Sequence, residues 1–195
     1  MFKSLSYKFA DLLVKNEVIE NEDFEIYRYG FETLIYFIVN ICITLFIGIV
    51  FKRFIHTIIF LSCYCTLRQF TGGYHARSYV ECTLTFVVIY LITIFIDNSI
   101  DIDKYKYLLI LIMIFSICII YKFSPLEHRN KPLSENEKKQ YKKVVIKVTI
   151  FISSMIMISL VYSIFEEFII YSLFSILWIA ILLIIGVRCK YNNTY

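Results

Sequence analysis

Glycine and proline are scarce, five and two in 195 residues. With so few breakers, little interrupts a helix once it has started. Also missing are the segments of about ten residues with alternating polarity that a transmembrane β-barrel requires; the apolar runs here are unbroken. The first of them begins only after about thirty mixed and charged residues, so no cleavable signal peptide is expected. Neither an internal repeat nor a low-complexity tract is found.

What the chain does have is apolar side chains, 59% of the total, and a mean hydropathy of +0.70. A soluble domain is about 45–50% apolar. Because the excess is gathered into runs, the expected fold is all-α, a polytopic membrane helix bundle in one integral membrane domain covering 1–195. Residues 1–31 differ from the rest. Phe2, Leu5, Phe9, Leu12 and Leu13 recur at helical spacing, with Lys3, Lys8, Asp11 and Lys15 between them, as in an amphipathic helix lying on the membrane surface. A second short helix is expected to start near Asn21, as its cap, and to end near Gly30. The bundle, 33–187, contains six runs: Thr33–Phe51, Phe54–Leu67, Tyr79–Ile96, Tyr107–Tyr121, Val144–Phe165 and Phe168–Val187. The second is short for a bilayer core that needs roughly 20 residues.

Orientation follows from the lysines and arginines, which favour the cytoplasmic side. With the N-terminus inside and six spans, fifteen of the twenty fall inside and four outside, with Lys147 within the fifth span. The dissenting pair is Lys52–Arg53. This puts the segment around His75 and Cys82 on the cytoplasmic side. It also makes 122–143 a cytoplasmic basic loop, either a solvated connector or a docking surface for an acidic partner through Lys131, Lys138 and Lys139.

Of the six cysteines, Cys42, Cys63, Cys65 and Cys118 lie well inside apolar runs, where a thiol behaves as a small hydrophobe. No pairing into disulfides is expected. Cys82 is different. It follows Arg68-Gln-Phe-Thr-Gly72-Gly73-Tyr-His75-Ala-Arg-Ser-Tyr-Val-Glu at the start of the third run. Gly72–Gly73 continues a helix poorly, so the second run should end there in a turn. Ser78 can cap the next helix, and Cys82 then sits about one turn inside it. A helix N-terminus favours negative charge at that place, as do Arg68 and Arg77 nearby. In one straight helix His75 and Cys82 would stand about 10 Å apart along the axis, too far for proton transfer. A working pair therefore requires a backbone break before about Ser78.

Two readings of the pair stand side by side: a nucleophile with its base, or an interfacial histidine beside an ordinary membrane cysteine. Two ligands are too few for zinc, and no metal or other cofactor is expected. His56 reads as an interfacial residue on the outer side, and His128 as a loop residue. Glu81 can pair with Arg77 or orient His75, or be a hydrated interfacial acid. Asn40, inside the first run, reads as a hydrogen-bonding residue between helices.

The pattern Arg68-x-x-x-Gly72-Gly73-x-His75-Ala-x(5)-Cys82 resembles the signature of the AgrB family, the accessory gene regulator proteins B of Gram-positive bacteria. The resemblance extends to Tyr29-Gly30, the six apolar runs, Pro125, and Asn130-Lys131-Pro132-Leu133. It implies a cell-membrane cysteine endopeptidase that cuts the precursor of a cyclic autoinducing peptide in quorum sensing. Cys82 would be the nucleophile and His75 its base, with Arg68, Gly72 and Gly73 supporting them. The implied partners are an AgrD-like precursor peptide, membrane lipid and a second copy of the chain in a homodimer; nucleic acid is not among them. Two other classes compete: a non-catalytic peptide exporter or transporter, and a membrane thiol oxidoreductase using Cys63-Tyr-Cys65 or Cys82. Ionisable groups cluster at the ends of the runs, which counts against the first. Cys-x-Cys within an apolar run is a weak signal for the second.

Overall fold

The computed structural model describes residues 2–73, 79–127 and 133–191. Among these there are seven α-helices and no strand: α1 (Phe2–Lys15), α2 (Phe24–Val50), α3 (Phe54–Thr71), α4 (Tyr79–Asp97), α5 (Ile102–Phe123), α6 (Glu135–Tyr162) and α7 (Ile169–Tyr191). Single 3₁₀ turns at Asn21–Asp23 and Glu166–Phe168 lead into α2 and α7. Helices are what a lipid-facing chain without water must form, because each backbone N–H then finds its carbonyl within its own segment. Among the described residues, Asn21–Val50, Val80–Asp97, Ile102–Phe123, Glu135–Tyr162 and Glu166–Cys189 are long and apolar enough to cross a membrane.

Each of the six apolar runs is helical over most of its length, but α3 is not among those five. Its 18 residues reach about 27 Å at ~1.5 Å per residue, close to the hydrocarbon thickness. It carries His56, Thr57, Tyr64, Arg68 and Thr71 because it is packed within the bundle, with Phe60, Leu61, Tyr64 and Leu67 buried, and has less surface to offer lipid. The centre of the bundle is α7, whose Ile169, Ile170, Tyr171, Leu173, Ile176, Ile179, Ala180 and Leu183 are sealed from solvent. It packs on α3, α4, α5 and α6, while α2 packs on α1, α3 and α4. The outward faces are studded with exposed Phe46, Phe95, Leu111, Phe151 and Val161, as lipid contact requires.

Among the boundaries that differ from the sequence expectation, three have a clear physical reason. The helix does not end at Gly30: α2 runs through it for 27 residues. One glycine costs a helix only about 1 kcal/mol, less than the continuing apolar run supplies. Asn21 caps nothing; Glu20 and Asp23 stand at the N-cap positions there, without a side-chain bond. The third difference lies in the polar stretch before Lys143, which is helical from Glu135. Ser134 and Glu137 form a reciprocal capping box there, with Ser134 N–H donating to Glu137 at 2.8 Å and Glu137 N–H to Ser134 Oγ at 3.3 Å.

At the bundle end away from Cys82, charged and polar groups lock the helices together. Arg53 pairs with Asp97 at 3.1 Å and donates to Asn98 at 2.9 Å, and Tyr171 Oη donates to Asp97 at 3.3 Å. The sequence reading placed His56 at the interface on the outer side, and it stands in the first turn of α3 at this end of the bundle. It is buried there between the rings of Phe168 and Tyr171, its Nε2 3.7 Å from Glu167. Beside it, Gly48 lets α2 approach so closely that a Cβ there would strike Thr57 Oγ1, and Thr57 is hydrogen-bonded in turn to Tyr90 of α4.

Candidate functional site

Gly72 terminates α3. Its φ of +66° lies in a region that L side chains avoid, and its N–H still reaches back to Arg68 O at 3.3 Å. Gly73 follows with φ +122°. The expected turn is therefore present, and the structure adds the reasons for both glycines. The segment after α5 passes directly over Gly72: Leu126 N–H donates to Thr71 O at 2.9 Å, and a Cβ on Gly72 would run into the Leu126 carbonyl. A Cβ on Gly73 would run into the Arg68 guanidinium. The Leu182 carbonyl of α7 stands 3.6 Å from that same point.

Arg68 lies in the last turn of α3 and folds back over the turn, its Nη1 donating to the Gly72 carbonyl, which Thr71 Oγ1 also reaches at 3.2 Å. Cys82 is the fourth residue of α4, a free and exposed thiol one turn in from the helix start, as expected. Arg68 is within electrostatic reach of its sulfur. The turn therefore brings together a thiol, a guanidinium and a helix N-terminus. His75, Arg77, Ser78, His128 and Lys131 lie outside the described residues.

Of the other residues singled out, Glu81 is exposed, and its carbonyl accepts from Thr85 Oγ1 at 2.8 Å. Lys139 is exposed, whereas Lys138 is held by Glu127 at 3.0 Å and Glu135 at 2.7 Å. Asn40 makes no bond between helices through its side-chain oxygen, which is buried without a partner. Cys63 and Cys65 are half-buried, and Cys63 is hydrogen-bonded with Ser172 and Ser175.

Sequence reasoning missed three things. Leu126 closes the glycine turn, and no local signal announces a partner so distant in the chain. Glu32 of α2 is buried, 8% exposed, with Oε1 unpartnered. An aromatic contact between α3 and α4 also lies directly above the site. Tyr64 meets Phe86 with ring centroids 5.0 Å apart. The spacing that signals it, Tyr64 four residues before Arg68 and Phe86 four after Cys82, was open to view.

The fold and this rim define a class: a polytopic helical membrane protein with a cysteine held at the end of its bundle. Comparison with known proteins narrows it. The family description "Accessory gene regulator B" matches residues 6–184. Putative AgrB-like protein 2 of Clostridium perfringens is 30% identical over 154 residues, 76% of this chain and 72% of that one. Accessory gene regulator protein B of Staphylococcus aureus is 23% identical over 149 residues, 76% and 80% of the two chains. A putative AgrB-like protein of Listeria innocua is 25% identical over 146 residues, covering 73% and 71%. No solved structure matches. The chain belongs to the AgrB family.

Proposed function

We propose that this protein is the membrane cysteine endopeptidase of a quorum-sensing system, cutting an AgrD-like precursor peptide through Cys82. Membership of the accessory gene regulator family supports the role in peptide processing. The observation that carries the chemistry is the exposed Cys82 thiol in the first turns of α4, with Arg68 folded against the glycine turn in electrostatic reach of it.

In this reading His75 takes the Cys82 proton, and the thiolate attacks the carbonyl carbon of the scissile peptide bond. The tetrahedral intermediate collapses, the C–N bond breaks, and the leaving amine takes the proton from His75. The N-terminal part of the precursor remains as a thioester on Cys82. A thiol or hydroxyl of that peptide then attacks the thioester carbonyl, giving its proton to His75; the C–S bond to Cys82 breaks, the departing sulfur takes that proton back, and a thiolactone or lactone ring closes. Thioester exchange is close to balanced, so ring closure requires that water be kept out, and a site at the lipid edge supports that. No metal or organic cofactor enters these steps.

The same reading puts the N-terminus and the site end of the bundle on the cytoplasmic side of a Gram-positive cell membrane, with α1 beside the membrane-bound precursor. Lys131, Lys138 and Lys139 belong to the surface that receives an acidic stretch of it. A homodimer is part of the reading by family resemblance. The test is co-expression with the precursor, followed by mass spectrometry. Cys82→Ala and His75→Ala should each abolish the cleaved product, and Cys63→Ala and Cys65→Ala should leave it. Cleavage that survives Cys82→Ala removes the reading. Loss of cleavage on replacing Cys63 or Cys65 as well points to thiol–disulfide chemistry instead.

A further inference from the structure

Lysines gather where the C-terminal end of α5 meets the N-terminal part of α6. Lys142 Nζ stands over the Tyr121 ring, 5.1 Å from its centroid. Lys122 and Lys143 are the next residues on the two helices, and Lys147 follows Lys143 by one turn on the same face. Lys122, Lys143 and Lys147 are exposed. The neighbouring carboxylates are engaged elsewhere. Lys138 takes both Glu127 and Glu135, at 3.0 and 2.7 Å, and Glu137 closes the capping box. Among the described residues no carboxylate pairs with Lys122, Lys142, Lys143 or Lys147, and the rest of the chain contains no Asp or Glu.

A hydrocarbon core about 30 Å thick takes roughly 20 residues of helix. Counted back from Tyr162, where α6 ends, its far boundary falls near Lys143. Tyr121, 61% exposed in the last turn of α5, marks the same level, as interfacial tyrosines do. Lys142 and Lys143 therefore stand at headgroup height. Lys147 is one turn deeper, on the face that continues as exposed Ile150, Phe151, Ser154 and Ile158. Side chains lean toward the helix N-terminus, so its ammonium reaches back to the headgroup level.

We propose that the α5–α6 seam is a binding site for an anionic phospholipid, the phosphate held by Lys142, Lys143 and Lys147 with Lys122 alongside, and the acyl chains laid on the exposed apolar faces of the two helices. An acidic peptide in water meets Lys142 and Lys143, but not a charge that shares its face with Ile150 and Phe151. A ligand with an anionic head on long apolar chains meets both. Basic pockets between membrane helices recognise phospholipid headgroups in this way. Tyr141, next to Lys142, packs edge-on against Phe70 of α3 at 5.4 Å, so a bound headgroup holds the stretch of α6 that lies beside the glycine turn.

The purified protein in a neutral detergent is titrated with phosphatidylglycerol or phosphatidylcholine. Retained lipid is counted by native mass spectrometry, and Tm is followed in parallel. Phosphatidylglycerol should be retained and raise the Tm, and phosphatidylcholine should do neither. Each lysine is worth roughly fivefold in affinity for an anionic headgroup. Lys142→Gln, Lys143→Gln and Lys147→Gln together should therefore weaken binding on the order of 100-fold, and Lys147→Gln alone about fivefold. Lys52→Gln, an equal loss of charge at the opposite end of the bundle, should leave the affinity unchanged. Equal retention of the two lipids, an unchanged affinity in the triple variant, or the same loss from Lys52→Gln overturns the proposal. So does a rise in Tm from glycerol phosphate or an acidic peptide that equals the rise from the lipid. Where the triple variant does not fold, the affinity of Lys147→Gln decides.

Discussion

Gly72 and Gly73 both have positive φ, yet what a side chain would meet at each is different. At Gly72 it is the main-chain carbonyl of Leu126, which cannot move without undoing the bond from Leu126 N–H to Thr71. At Gly73 it is the tip of Arg68, which can rotate away. Each substitution carries backbone strain of order 1–3 kcal/mol, and Gly72→Ala adds a backbone clash. Thermal unfolding in detergent should therefore show a larger loss of Tm for Gly72→Ala than for Gly73→Ala. Gly73→Ala should still lose most cleavage, because the displaced guanidinium no longer sits by Cys82. Equal losses of Tm would mean that the Leu126 contact carries no weight. The turn was legible in the sequence because two adjacent glycines break a helix whatever surrounds them. The Leu126 strap was not, because nothing near Leu126 marks it as the partner of a turn on another helix.

At the scale of elements, the apolar runs announced the helices, and the errors fell where a local signal met a competing one. Gly30 reads as a stop, but it lies within α2 with open space around it. Gly30→Ala should raise stability by up to about 1 kcal/mol, measurable as a higher Tm, with cleavage unchanged. The start of α6 was misread for the opposite reason. Hydropathy placed it near Val144, while the Ser134–Glu137 capping box starts the helix in water. That early start sets Lys138 beside Glu127, one residue after Leu126. If the basic stretch receives an acidic segment of the precursor, that segment competes with Glu127 for Lys138. Glu127→Gln should then lower KM while leaving kcat near its original value; a KM that does not fall means that Lys138 takes no part in docking.

At the scale of the whole molecule, the two ends of the bundle are built differently. One end has the thiol and the glycine turn. The other is held by Arg53–Asp97, Tyr171 and the Gly48–Thr57–Tyr90 contact. Asp97→Asn should lower the Tm clearly, because it leaves Arg53 without its ion-pair partner, while the pH profile of Cys82 alkylation stays as it was. A shifted profile would mean that the two ends communicate. The charge count along the chain gave an orientation without coordinates, but it could not foresee that Lys52–Arg53, the pair that disagreed with it, contributes Arg53 to this lock.

That lock has a mechanical corollary. Where α2, α3 and α4 are riveted together, as at the pivot of a pair of tongs, their relative placement is fixed at one extremity by contacts between all three. Cys82 stands at the opposite extremity, where α4 begins and no such rivet joins it to α2 among the described residues.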